Sequence, residues 1–104
     1  MQYKLNPTIT EQELRDYGFT DFSNGHWYYC KDLYKGDISF NLDVLKSNYN
    51  YIEIDVLDEW WCQPYDYEWL LSMNKNAKVA NKVKREYDKM VRKLLKDKIL
   101  VEVD

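Results

Sequence analysis

The side chains with the most chemistry to offer are few: one histidine, His26, and two cysteines, Cys30 and Cys62. A nucleophilic thiol needs a base within hydrogen-bond reach. His26 and Cys30 are the one conceivable pair. On a strand they point the same way, but four residues put them about 13 Å apart, too far to share a proton or a metal ion. The plainer reading makes Cys30 and Cys62 small core residues with free thiols, because unpaired cysteine is usually buried. Asp58 and Glu59 are sequence neighbours, and neighbours in an extended chain point to opposite sides, which makes a poor acid–base pair. Asp55, Asp58 and Asp66 have oxygens to offer a divalent cation, but no calcium-loop spacing links them. Three glycines, all in turn contexts, cannot build a phosphate-binding loop. The expectation is a protein without catalytic residues, metal or cofactor, and therefore not an enzyme.

Two stretches carry interaction chemistry instead. From Asp37 to Glu68 the chain has eight acidic residues and one base, Lys46. Within it, Asp58, Glu59, Trp60, Trp61, Tyr65, Asp66 and Tyr67 form an acidic, aromatic corner. Consecutive tryptophans cannot easily enter one core, so at least one of Trp60 and Trp61 is expected at the surface. An exposed tryptophan among acids suits a hot spot for a basic or nucleic-acid-binding protein. The competing reading is that the corner closes over the core and its acids keep the chain soluble. The second stretch is residues 74–98, with ten basic and three acidic groups, a net +7, against −8 over residues 1–73. Lys78, Lys82, Lys89, Arg92 and Lys93 there can meet the phosphates of a nucleic acid. A solvated helix face, partly paired with the acidic sheet, accounts for them better, and the whole chain is acidic at −3.

Several elements must position these residues. Thr10 and Glu13 make a capping box, with Ile9 and Leu14 as its hydrophobic staple, so a short helix runs from Glu11 to Tyr17 and ends at Gly18. Met1 to Leu5 reads as a short edge strand. After the turn signal Ser23-Asn24-Gly25, His26–Tyr34 reads as a strand. Lys35-Gly36-Asp37 turns the chain into Ile38–Leu45, whose Ile38, Phe40, Leu42 and Val44 alternate inward. A third strand carries Ile52, Ile54 and Val56. Pro64 forbids its continuation. Asp66 then caps a helix bearing Trp69, Leu70, Leu71 and Met73. Asn74-Lys75-Asn76 interrupts that helix before a long one over 77–98, about 33 Å at helical rise. Its apolar stripe is Ala80, Val83, Tyr87, Met90, Val91, Leu94 and Leu95. Ile99, Val101 and Val103 alternate as an edge strand. The predicted fold is α+β: a three-stranded antiparallel meander flanked by a short N-terminal helix and packed against a long C-terminal helix, all one domain over 1–104.

The totals agree with that picture. A chain of 104 residues, 45% hydrophobic, can build a core without disulfides or metal. The start MQYKLNPTIT has no apolar run of signal-peptide type, and no stretch approaches the ~18 apolar residues of a membrane span. The setting this predicts is the reducing cytoplasm.

Val56-Leu57-Asp58-Glu59, followed by Cys62-Gln63-Pro64-Tyr65-Asp66-Tyr67, resembles a segment of small uncharacterised proteins encoded by phages and prophages of Gram-positive bacteria. Tyr17-Gly18-Phe19 and Trp27-Tyr28-Tyr29 are similar as well, and the likeness spans about two-thirds of the chain. The resemblance brings no catalytic residue. It implies the cytoplasm of a bacterial host cell and a role in the phage–host relationship, as for inhibitors of host defence enzymes such as anti-CRISPR proteins acting on a CRISPR nuclease. The partner implied is a host protein. The sequence leaves its identity, the affinity and the oligomeric state open.

Overall fold

The computed structural model describes residues 2–21 and 24–103, so the expectations for Met1 and Ser23 lie outside the described residues. The elements are β1 (Gln2–Leu5), α1 (Glu11–Tyr17), β2 (His26–Tyr34), β3 (Ile38–Leu45), β4 (Asn48–Asp58), β5 (Gln63–Pro64), α2 (Tyr67–Met73), α3 (Lys78–Lys96) and β6 (Leu100–Val103). Over the described residues the fold is α+β, with three helices and antiparallel sheets.

Local chemistry sets the helix ends. The Thr10 hydroxyl accepts from the Glu13 amide at 3.1 Å, and the Glu13 carboxylate accepts from the Thr10 amide at 3.1 Å. Gly18, at φ +123°, donates back to the carbonyls of Leu14 and Arg15 and ends α1. Asp66 caps α2 by accepting from the Trp69 amide at 3.0 Å. Asn74 ends α2, and α3 begins at Lys78, so the Asn74-Lys75-Asn76 interruption stands.

The main sheet has four strands in the order β2-β3-β4-β5, not three. The added strand is two residues long. Pro64 pairs with Leu57, and Gln63 with Asp58. Proline fits there because a sheet edge does not need its missing donor. β4 also begins earlier than expected. It absorbs Asn48–Asn50 because the ladder with β3 runs on toward the Lys46-Ser47 turn, with a bulge between Val44 and Leu45. The C-terminal strand β6 pairs with β1 in a separate two-stranded sheet, Leu5 opposite Leu100 and Gln2 opposite Val103. β1 lies alongside β4 without joining its ladder. Between them is an opening of about 420 Å³ lined by Tyr3, Ile52, Ile54, Tyr87 and Val103.

Register decides which side is wet. Trp27, Tyr29, Phe40, Leu42 and Val44 share one face of the sheet and are buried. From α3, Val83, Val91 and Leu94 enter the same core, and the Tyr87 and Phe40 rings meet at 5.6 Å. The expected stripe of α3 is therefore the packed one. In the tail the buried pair is Ile99 and Leu100 rather than the expected alternation, because the last turn delivers Ile99 straight onto the Leu94 carbonyl.

The cysteines correct the sequence reading, since both are exposed. Cys30 lies in register between Tyr29 and Lys31, and the face that buries Tyr29 turns Cys30 outward. Cys62 sits in the turn before β5 at φ +50°. Partial burial, followed by the nearby Glu59 carboxylate, raises the Cys30 thiol above its ordinary value.

Candidate functional site

Two turns lie side by side at one end of the main sheet. The β2–β3 turn is built by Lys35 and Gly36 at positive φ, and the Gly36 amide donates to Asp32 at 2.7 Å. The β4–β5 turn, residues 59–62, crosses next to it. Asp37 joins the two. Its carbonyl accepts from the Glu59 amide at 2.8 Å, and its carboxylate accepts from the Trp60 indole N–H. Asp58 braces the same turn from within, accepting from the Trp60 amide at 3.0 Å and the Trp61 amide at 3.2 Å. The Ser39 hydroxyl donates to Glu59, which fixes that carboxylate to the sheet.

Trp60 and Trp61 nevertheless stand in solvent, 77% and 75% exposed. The combination is unusual: large apolar rings at the surface on a turn that several hydrogen bonds hold in one shape. Among the described residues none of Asp37, Asp58 and Glu59 pairs with a cation, so the tip keeps its negative charge. Preorganised aromatics of this kind lose little freedom on binding.

The other corner residues serve different ends. Tyr65 and Tyr67 are half-buried and pack against the core. The Tyr67 and Tyr87 rings lie 5.8 Å apart, and burial pushes the Tyr67 hydroxyl up to about 12. Asp66 is occupied as the α2 cap. Sequence reasoning passed over one contributor to the tip and two exposed apolar side chains of α2. Asp37 belongs to the tip through its turn position, and only the tertiary contact reveals that. Trp69 and Met73, predicted simply as members of a helix, are 59% and 71% exposed. Their i, i+4 spacing was the available signal that they share a face.

The basic helix is less uniform than its composition. Lys82 and Lys89 both reach Glu86, at 2.9 and 3.7 Å. Lys93 is held by Asp97 and by the Tyr17 hydroxyl, each at 2.9 Å, and these bonds raise its ammonium above the usual value. Lys78 and Arg92 are exposed and make no ion pair among the described residues. Lys78, Lys82, Arg85, Lys89, Arg92 and Lys96 follow one another at steps of four and three and form a single exposed row.

On the wet sheet face the His26 ring bonds Asp43 at 2.7 Å and stacks on Tyr28. Among the described residues no group of three His, Cys, Asp or Glu side chains is placed to hold a metal ion. Among the described residues no helix is long and apolar enough to cross a membrane.

One solved structure shares this architecture. The chain is similar in fold to a DUF1831 family protein from Lactobacillus plantarum, with a TM-score of 0.69, 14% identity, and 95% of this chain and 84% of that chain covered. No protein-family description matches the sequence, and neither does any curated protein. At that identity the likeness concerns the fold alone.

Proposed function

We propose that this chain is a non-enzymatic binding protein that docks the Trp60–Trp61 tip onto a basic surface of another protein. The observation that carries the reading is the pair of adjacent, solvent-exposed tryptophans on a turn braced by Asp37, Asp58 and Glu59. A tryptophan buried at the centre of an interface contributes upwards of about 2 kcal/mol. The surrounding carboxylates speed encounter with a cationic partner and make it salt-sensitive. The resemblance in sequence to phage and prophage proteins supports the rest of the proposal. The target is then a host protein in the bacterial cytoplasm, such as a nucleic-acid-binding defence enzyme that the chain inhibits or modulates. Nothing in the name of the structural neighbour bears on that setting.

The test is capture from a Gram-positive host lysate with the wild-type chain and with Trp60→Ala and Trp61→Ala, read by mass spectrometry alongside melting temperature. At least one variant keeps its fold and loses the captured protein. Capture unchanged in both variants rules the tip out as the docking surface.

The exposed row of cations on α3 favours a second reading, a small nucleic-acid-binding accessory protein. Phosphate contacts through such a row require affinity to fall steeply with salt. The expected result is no gel shift with single- or double-stranded DNA or RNA at physiological salt. A shift abolished by replacing Lys78, Lys82 and Lys89 together would establish the second reading.

A further inference from the structure

α2 is an apolar helix that buries none of its residues. In its sequence Tyr67-Glu68-Trp69-Leu70-Leu71-Ser72-Met73, no side chain is fully enclosed. Tyr67, Leu70 and Leu71 are half-buried, and they lie on one side of the helix by its 100° step, the side that packs toward α3. Trp69 and Met73 occupy the opposite side, one turn apart, at 59% and 71% exposure. Val79, in the first turn of α3, is a third exposed apolar side chain. Ordinary soluble surfaces scatter such residues singly. Here a short helix presents two on one stripe.

Charge says what kind of surface would cover that stripe. The N-terminal end of α2 carries Asp66 and Glu68, and the segment past its C-terminal end carries Lys75 and Lys78. All four are exposed, and none is in an ion pair among the described residues. The helix and its flanks therefore run from negative to positive. A surface of that polarity is complementary to itself when two copies meet antiparallel about a two-fold axis. The acids of one then face the lysines of the other, and residue i meets residue j while j meets i. In the same arrangement Trp69 of each copy lies against Met73 of the other, a favourable sulfur–aromatic contact.

We infer that α2 is a self-association surface and that its occupant is α2 of a second copy of this chain. The contact is small, so the dimer is weak and reversible. It uses neither Trp60 nor Trp61, and both tips remain available.

Sedimentation velocity over about 5 to 500 μM protein brackets the range in which such a small interface associates. The weight-average mass rises from one chain toward two across that range. Trp69→Glu and Met73→Glu each abolish the rise and leave the circular-dichroism melt in place, since neither side chain is packed in the core. Glu68→Lys weakens association at least several-fold, and Glu68→Lys combined with Lys75→Glu restores it. A chain that stays monomeric at every concentration overturns the inference. So does a dimer that persists in Trp69→Glu, and if that dimer is lost in Trp60→Ala, the contact belongs to the tip instead.

Discussion

Lys46 holds its ammonium 4.5 Å from the centre of the fully buried Trp27 ring while donating to the Asp21 carboxylate at 2.9 Å. Arg15 approaches the same ring, at 5.0 Å, and grips the same carboxylate through both of its oxygens. Asp21 thus ties a residue of α1 to one from the β3–β4 turn above the largest side chain of the core.

This arrangement makes stability acid-sensitive in a defined window. Hydrogen bonds from Arg15 and then Lys46 pull the Asp21 carboxyl down to about 2, below its ordinary 3.8. A depressed carboxyl contributes its stabilisation above the unfolded value and loses it as pH falls through the folded one. Wild type should therefore melt above Asp21→Asn at pH 6. The gap should narrow below about pH 4 and close near pH 2. A gap that stays constant with pH would mean that the Asp21 charge is irrelevant to folding.

The packed stripe of α3 is tested by substitution. Leu94 is fully buried, and Leu94→Ala should cost about 2–5 kcal/mol in urea unfolding. Arg85→Ala, on the exposed row, should stay within about 0.5 kcal/mol. Equal losses would show that the helix presents a different face to the sheet.

The four tryptophans fall into two environments that fluorescence separates. Trp27 is fully buried, whereas Trp60, Trp61 and Trp69 are open to solvent. Acrylamide should quench emission from the latter three and leave a residual blue-shifted signal, which Trp27→Phe should remove. Strong protection of Trp60 or Trp61 in the isolated chain would contradict the exposed tip.

Local signals made much of this fold legible. The Thr10–Glu13 box, the alternation along Ile38–Leu45 and the stripe from Ala80 to Leu95 each specify one element through neighbours a few residues away. β5 was not legible, because two residues have no period and Pro64 reads as a stop. Pairing of β1 with β6 was hidden for a related reason: alternation marks a strand but does not name its partner. Cys30 was misplaced because composition says only that free cysteine tends to be buried. Its actual side follows from the parity of Trp27 and Tyr29. At the candidate site, steric reasoning about two adjacent tryptophans anticipated exposure. The bracing by Asp37 depends on two hairpin turns meeting, which no single stretch encodes.

The separate β1–β6 sheet has a kinetic consequence. Pairing Gln2 with Val103 closes a loop that contains nearly all of the chain between them, and the entropy of closure grows with loop length. Contacts so distant in sequence should form late, after the hairpins of β2, β3 and β4. The ribbon sits beside β4 without ladder bonds, so side-chain packing, such as that of Leu5 and Leu100 in the core, holds it in place. Amide protons of Lys4 and Val101 should exchange with deuterium well before those of Asn41 and Asp55, and opening of the native state should begin where the two ends of the described chain meet.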